Sequence, residues 1–313
     1  QPLRDSGEIQ ATFANAGQGG SVNSAFMVMA LAPWDRYLAR VHAAAMIYPD
    51  AVFCLESAAV LLGMPVFGDP VIVHMLMGPT ATARQISGVR VHKSRPERTI
   101  HEISGLGVTS PADTAVDLAR HRHNAVGLAA ADAAVRSDPT LTRDALLALN
   151  ESRSSARGRR IARWPLSRCT ALAETALESI SRAAIEWLGF PAPELQVVFR
   201  SGTGEADRSD CFWREASLAG EADGDIKYDG RFGDPRTILW KQRQRDTRLR
   251  RAHVREIAHW GWSDATGHEP LRDILTGAGL RPIGPEDSQQ LASMKRLLAP
   301  RAPHPTARQA DHP

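Results

Sequence analysis

Apolar residues recur with helical spacing in several parts of the first half of the chain. Between Trp34 and Ile47 they fall three or four residues apart, which predicts an amphipathic helix that ends before Pro49. Further segments with helical spacing or helix-start residues predict four more helices: 55–62, 111–120, 124–136 and 142–150. The second of these has Ser110 as its expected N-cap and Pro111 at its first position. Short apolar runs punctuated by Gly, Pro and Ser predict three strands: 71–77, 89–92 and 99–103. Residues 34–150 are therefore expected to form an α+β region of helices with a small sheet.

The second half starts with a long amphipathic helix and continues with strand patterns. Leu177, Ile180, Ala184 and Leu188 share one face of a helix predicted over 172–188. The segments that follow are predicted, in order, to be three strands, an arginine-rich helix, a strand and a short helix: 194–200, 207–213, 218–223, 237–252, 254–260 and 271–275. This order predicts an α/β domain with a central mixed sheet over residues 171–280.

Three segments show neither the helical nor the strand period of apolar residues. Residues 1–33 are rich in Gly, Gln, Ser and Asn, which predicts a poorly ordered or truncated N-terminus. Residues 151–170 carry six arginines among serines, which favours a solvated basic linker or helix; the alternative is a connector that contacts phosphate. Residues 281–313 are expected to form a C-terminal tail with a disordered end.

Composition restricts the class of protein. With 313 residues, 43% hydrophobic and 23% charged, the chain is typical of a globular protein of about two domains. The formal net charge is +3 and the pI is about 9.0, so nucleic-acid binding depends on where the arginines lie. Three scattered cysteines predict neither a disulfide partner nor a zinc site. The longest apolar stretch, 25–33, is too short to span a membrane, and we expect a cytoplasmic protein.

Carboxylates concentrate on the second and third strands of the predicted α/β domain. If residues 214–217 form the loop of a hairpin, Trp213 faces Leu218 and Asp210 lies opposite Glu221. Asp223, two residues beyond Glu221, then points the same way. Like charges placed opposite each other destabilise a sheet, and a bound Mg²⁺ would offset that cost, with Asp210 and Glu221 as its ligands. The alternative is a register displaced by one residue, which would turn these acids to solvent.

Two charged residues outside the hairpin complete this candidate catalytic set. Glu178 lies on the preceding helix, where it either joins the acids or forms a surface ion pair with Arg182 four residues later. Lys227 follows the acidic strand and is a candidate for neutralising a phosphate or orienting water.

The arginine-rich helix is the candidate nucleic-acid surface. Its basic residues, which include Lys241, Arg245, Arg248 and Arg251, are accompanied by Asp246 as the acid within the helix. Neutralising phosphates with such residues releases counterions and provides affinity without sequence preference. A solvated charged face is the simpler alternative.

Several segments resemble a known family. PDAVFCLESAAVLLGMP (49–65) and GLGVTSPADTAVDLAR (105–120) resemble AbiEi-family antitoxin-like proteins of actinobacteria. LESISRAAIEWLGFPAPELQ (177–196), DCFW (210–213) and GEADGDIKY (220–228) resemble their C-terminal domain, which is similar to very-short-patch-repair endonucleases of the PD-(D/E)xK superfamily. The resemblance implies a restriction-endonuclease-like fold for the second domain.

The resemblance also implies roles for individual residues. Asp210 matches the first aspartate of the motif, Glu221 the acid of its (D/E)xK element, and Glu178 the glutamate of the leading helix. Asp223 stands where the superfamily has its lysine, and Lys227 is a candidate substitute. The leading hypothesis is a nuclease-like DNA-acting protein with metal-dependent phosphodiester hydrolysis. The alternative is an antitoxin-type transcriptional regulator that binds DNA and a cognate toxin without catalysis.

Overall fold

The computed structural model describes residues 32–77, 84–86, 88–93, 98–200, 206–223 and 235–298. The predicted N-terminal segment up to residue 31, Lys227 and the tail from residue 299 lie outside these residues.

The first half forms a mixed sheet with helices packed against it. Its elements, in chain order, are α1 (Pro33–Ile47), β1 (Val52–Phe53), α2 (Leu55–Leu61), β2 (Val73–Met77), β3 (Arg84–Ile86), β4 (Val89–Lys93), β5 (Ile100–Ile103), β6 (Leu106–Thr109), α3 (Pro111–His121), α4 (Asn124–Ser137) and α5 (Arg143–Ser152). The sheet is six-stranded with the order β3-β4-β2-β1-β6-β5. Pairs β1–β6 and β2–β4 are parallel and the others antiparallel, so the sheet is mixed.

Local sequence explains why these elements form where they do. Helix α1 buries Tyr37 and Val41 against Phe53 and Met75 of the sheet. Tyr37 and Val41 are apolar positions of the amphipathic pattern predicted for this helix. The expected N-cap of α3 is confirmed, because the hydroxyl of Ser110 accepts a hydrogen bond from a backbone N–H of the first turn at 3.1 Å.

The second half contains a second mixed sheet. Its elements are α6 (Arg159–Arg168), α7 (Ala176–Trp187), β7 (Glu194–Arg200), β8 (Ala206–Trp213), β9 (Leu218–Ala222), α8 (Pro235–Arg251), β10 (Glu256–Trp260), α9 (Trp262–Gly267), α10 (Glu269–Gly277) and α11 (Ser288–Leu298). The sheet has the order β10-β9-β8-β7, in which β10 and β9 run parallel. The predicted hairpin register is confirmed, since Trp213 pairs with Leu218 and Cys211 with Gly220.

The segment predicted to be a basic linker is a packed helix. Ala162, Pro165 and Leu166 of α6 are buried, whereas Arg160 and Arg163 of the same helix are exposed. The three buried residues follow helical spacing, but the high arginine content and the proline within the helix hide the pattern in the sequence.

One hydrophobic core joins the two halves. It includes Leu128 of α4, Leu166 of α6, Ile180 of α7 and Trp260 of β10 in a single cluster of buried side chains. Helix α11, which lies in the predicted tail, adds three buried apolar residues to the same cluster. The predicted linker at 151–170 is therefore part of the packed structure, and packed structure continues beyond the predicted boundary at 281, after an exposed loop, in α11.

Two further observations concern the described part of the chain. All three cysteines, Cys54, Cys169 and Cys211, are buried free thiols. Among the described helices, none combines the length and apolar character that crossing a membrane requires.

Candidate functional site

Glu221 lies at the centre of the candidate site, on β9 beneath α8. Only 2% of its surface is exposed. Its Oε2 accepts a hydrogen bond from the Arg245 guanidinium at 2.7 Å, and its buried Oε1 has no hydrogen-bond partner among the residues that the structure describes. A buried carboxylate with one oxygen that lacks a hydrogen bond destabilises the folded state unless the carboxylate is protonated or a further positive group approaches it.

The electrostatic surroundings of Glu221 favour its protonated form. Burial raises the pKa of this carboxyl to about 7, and the nearby charges of Asp210 and Asp223 add to the rise while Arg245 opposes it. Glu221 is thus poised to exchange a proton near neutral pH. Perturbed carboxyls of this kind occur at functional sites, but also in structural ion pairs.

Asp210 lies where the β8–β9 ladder ends. The last ladder pair is Cys211–Gly220, and the Asp210 carboxylate instead accepts a hydrogen bond from the backbone N–H of Ala222 at 3.0 Å. Burial raises the pKa of both Glu221 and Glu178, and the charge of Asp210 adds to the rise in each. The structure therefore brings the three predicted acids into one electrostatic neighbourhood.

Asp223 is held by a network that the sequence did not indicate. Its Oδ2 contacts His259 Nδ1 at 2.8 Å and accepts a hydrogen bond from Gln242 at 3.1 Å, while Asp246 lies 3.3 Å from His259 Nε2. Burial lowers the pKa of His259, but the hydrogen bond to Asp223 and the charge of Asp246 outweigh it, so that the pKa lies above its ordinary value. His259 is neighbour to Glu221 through the parallel β9–β10 register. The sequence alone does not give the β9–β10 pairing, and without it His259 cannot be recognised as a neighbour of the acids.

Glu178 does not form the predicted ion pair with Arg182. Its carboxylate accepts hydrogen bonds from the Thr175 hydroxyl at 2.9 Å and from Gln196 at 3.0 Å, and it helps to cap α7. Arg182 instead pairs at 2.8 Å with Asp132, which is fully buried on α4. The i,i+4 spacing permits the predicted pair, but the buried aspartate of the neighbouring helix competes for the guanidinium.

The oxygen atoms of Asp210 and Glu221 are of the kind that Mg²⁺ prefers. Within the described ranges, however, no three His, Cys, Asp or Glu side chains are grouped so that they would hold a metal ion. Arg245 already supplies the positive charge that faces Glu221. A Mg²⁺ site on Asp210 and Glu221 stays a prediction, in which water and phosphate oxygens would supply the remaining ligands.

The inner face of α8 pairs with the sheet. Besides Arg245 with Glu221, Arg248 forms a bidentate pair with Asp207 of β8, with both N–O distances at 2.7 Å. Two of the predicted nucleic-acid-binding residues, Arg245 and Arg248, thus have their donors engaged by carboxylates of the same chain.

The outer face of α8 is exposed and basic. Trp240 is 58% exposed, and Arg243, Arg250 and Arg251 are also exposed. At about 100° per residue, Trp240, Arg243 and Arg250 lie along one side of the helix with Arg251 beside them. We call these four residues the outer face. The side chain of the predicted Lys241 lies outside the described structure.

Comparison with known proteins gives one family match and two relatives, each covering part of the chain. Residues 51–164 match the AbiEi antitoxin C-terminal domain family, which confirms the predicted AbiEi resemblance for that segment. Uncharacterized proteins of the Mycobacterium tuberculosis strains CDC 1551 / Oshkosh and H37Rv are each 37% identical over 174 residues, or 55% of this chain. The match spans only 62% of the length of these relatives. No solved structure matches the chain.

Proposed function

We propose that this protein is an antitoxin-type regulator that binds DNA through the outer face of α8 and catalyses no reaction. The observation that carries the proposal is the division of α8 into two faces. Arg245 and Arg248 neutralise carboxylates of the sheet, while Arg243, Arg250 and Arg251 remain exposed. The helix is anchored by its inner arginines and presents the outer ones to a partner.

The chemistry of the outer face suits a nucleic acid. Exposed guanidinium groups bind phosphate oxygens, with geometry fitted to bidentate contacts. An exposed tryptophan beside them offers a surface on which a base can stack, and Trp240 occupies that position. The combination favours phosphate and base contacts over a merely solvated charged face.

The antitoxin part of the proposal rests on the family match over 51–164. By that similarity we expect a protein partner, a cognate toxin, in addition to DNA. Toxin binding and DNA binding are separate activities in this proposal, so a variant that loses DNA binding can still bind the toxin.

DNA binding is tested by the salt dependence of affinity. Fluorescence anisotropy with a labelled duplex, at several salt concentrations from about 50 to 200 mM, gives the slope of log affinity against log salt. Because each phosphate contact contributes about 0.9 to that slope, Arg250→Ala/Arg251→Ala is expected to reduce it by about 2. The double variant Arg281→Ala/Arg296→Ala removes the same charge from exposed positions elsewhere and is the matched control.

The outcome separates the outer face from general charge. Equal slopes for the wild type and Arg250→Ala/Arg251→Ala would mean that the outer face touches no phosphate. An equal reduction in the control would mean that overall charge, not α8, attracts DNA.

A second candidate function is metal-dependent DNA cleavage in a restriction-endonuclease-like second domain. It is favoured by the unsatisfied Oε1 of Glu221 beside Asp210, on a mixed sheet preceded by the helix that carries Glu178. Asp210 and Glu221 would be the Mg²⁺ ligands. Incubating the protein with plasmid and with single-stranded DNA, in Mg²⁺ or Mn²⁺ and in a chelator, tests it. If no condition produces cleavage, the nuclease function is abandoned and the antitoxin-type regulator is retained.

A further inference from the structure

A second basic feature lies far from α8 in the chain, in the segment that matches the antitoxin family. A cleft of about 930 Å³ opens between β2 and β4 of the first sheet, helix α3 and the loop around residues 153–157. Of the described residues that line it, seven are Arg or Lys and only Asp117 is acidic. Such an excess of positive charge in a concave site attracts anions more strongly than the same charge on a convex surface.

Three of the cleft arginines are held in place by carboxylates. Arg98 forms a bidentate pair with Asp117, at 2.7 and 3.0 Å. Arg122 pairs in the same way with Glu56 of α2, with one N–O distance of 2.8 Å. Arg153 is buried against an aspartate of α3. These pairs fix the wall of the cleft and offset the charge of the three arginines, so the net positive charge of the cleft comes from its other cations.

Other cations of the cleft lack such compensation. Arg120 donates to the backbone carbonyls of Arg157 and Asn150, at 3.0 and 3.2 Å, which leaves its charge in place. Arg90 donates to the neutral Gln85 side chain, and Arg157 is exposed. Within the part of the chain that the structure describes, neither Arg90 nor Arg157 forms an ion pair with a carboxylate.

Two histidines on neighbouring parallel strands form part of the floor. His74 Nδ1 and His92 Nε2 are 2.9 Å apart and share a hydrogen bond, and the rings are stacked. The pKa of His74 is lowered to about 4, chiefly by burial and with smaller contributions from His92 and nearby arginines, which together outweigh the opposing charge of Glu56. The pair therefore offers neutral hydrogen-bonding groups among the fixed guanidinium charges.

We propose that this cleft binds a small phosphate-bearing ligand of the size of a nucleoside diphosphate or triphosphate. Planar guanidinium groups fit phosphate oxygens, and the uncompensated charges match a polyanion better than a monoanion. The volume lies in the range of sites that enclose small ligands, and Leu55, Leu76 and Val91 add apolar wall for the remainder of the molecule. The proposal goes beyond DNA binding by the outer face of α8, which involves none of these residues.

The test uses the full chain and three probes: inorganic pyrophosphate, a nucleoside triphosphate and a DNA duplex. Isothermal titration calorimetry at about 150 mM salt is expected to show saturable binding of pyrophosphate or the triphosphate, with a dissociation constant below about 0.1 mM. Arg90→Ala/Arg157→Ala removes two exposed charges without unpairing a buried carboxylate and is expected to weaken that binding at least about tenfold. Arg281→Ala/Arg296→Ala is again the charge-matched control and is expected to bind as the wild type does.

Each other outcome overturns the proposal. The proposal is wrong if neither pyrophosphate nor the nucleoside triphosphate binds, or if Arg90→Ala/Arg157→Ala binds them as tightly as the wild type does. Loss of duplex binding in Arg90→Ala/Arg157→Ala, without any binding of the small probes, would make the cleft a nucleic-acid surface instead. Because the α8 variant Arg250→Ala/Arg251→Ala leaves the cleft intact, its result can fail independently of this one.

Discussion

Replacing Glu221 by Gln is expected to stabilise the protein above neutral pH and to have less effect in mild acid. The substitution keeps the size of the side chain and removes the charge that burial disfavours. The folded state holds the pKa of Glu221 at about 7, against the ordinary value of 4.5 for a glutamate carboxyl in the unfolded chain. Below the unfolded value the carboxyl is protonated in both states, and its titration costs no stability.

The magnitude follows from the linkage between protonation and folding. As pH rises from 4.5 through 7, the folded protein binds more protons at Glu221 than the unfolded chain does, so its stability falls. At about 1.4 kcal/mol for each tenfold change in proton affinity, the full loss above neutral pH is about 3 kcal/mol. The variant avoids this loss, although its Gln is a weaker acceptor for Arg245.

Urea unfolding, followed by tryptophan fluorescence at about pH 5 and pH 8, measures the effect as the difference between variant and wild type. That difference is expected to move in favour of Glu221→Gln by up to about 3 kcal/mol between the two conditions. Both proteins retain His259, so most of its own titration cancels. Glu215→Gln, at an exposed position of the β8–β9 turn, is the control for the change in side chain. A difference that stays constant with pH would refute the reasoning, because it would mean that ionised Glu221 is fully compensated.

Three other substitutions test separate parts of the structure. Asp210→Asn is expected to abolish any Mg²⁺-dependent cleavage and to leave the melting temperature unchanged or raised, since it relieves repulsion with neighbouring carboxylates; cleavage that survives would place the chemistry elsewhere. Arg182→Ala is expected to cost about 3 kcal/mol in urea unfolding because it leaves a buried aspartate unpaired, whereas Arg214→Ala, in an exposed ion pair, is expected to cost less than about 1 kcal/mol. Gly158→Ala is expected to destabilise the fold by at least about 1 kcal/mol, because φ is +72° and the new Cβ would clash with the backbone carbonyl oxygen of Arg120. Gly277→Ala is the control, because no described atom lies within 4 Å of its new Cβ, and equal effects would contradict the backbone argument.

Local features of the sequence were sufficient to predict most elements and one register. The strand predicted at 194–200 has those bounds in the structure, and the N-cap at Ser110 and the pairing of Trp213 with Leu218 were also predicted correctly. These features depend on side-chain alternation, capping and turn geometry, which involve residues close together in the chain. Helix α6 was missed as a packed element because its apolar residues are few and separated by arginines.

The functional surfaces depend on contacts between residues far apart in the chain. The sequence showed an arginine-rich helix, but only its position against the sheet decided that Arg245 and Arg248 face carboxylates while Arg250 and Arg251 face solvent. His259 reaches Asp223 because β10 lies parallel to β9, a pairing that no local period encodes. The basic cleft likewise exists because the tertiary structure places residues of α3 beside the strands that carry its two histidines. Periodicity determines which face of an element is apolar, whereas the partners of its polar face are determined by which elements the shared core brings together.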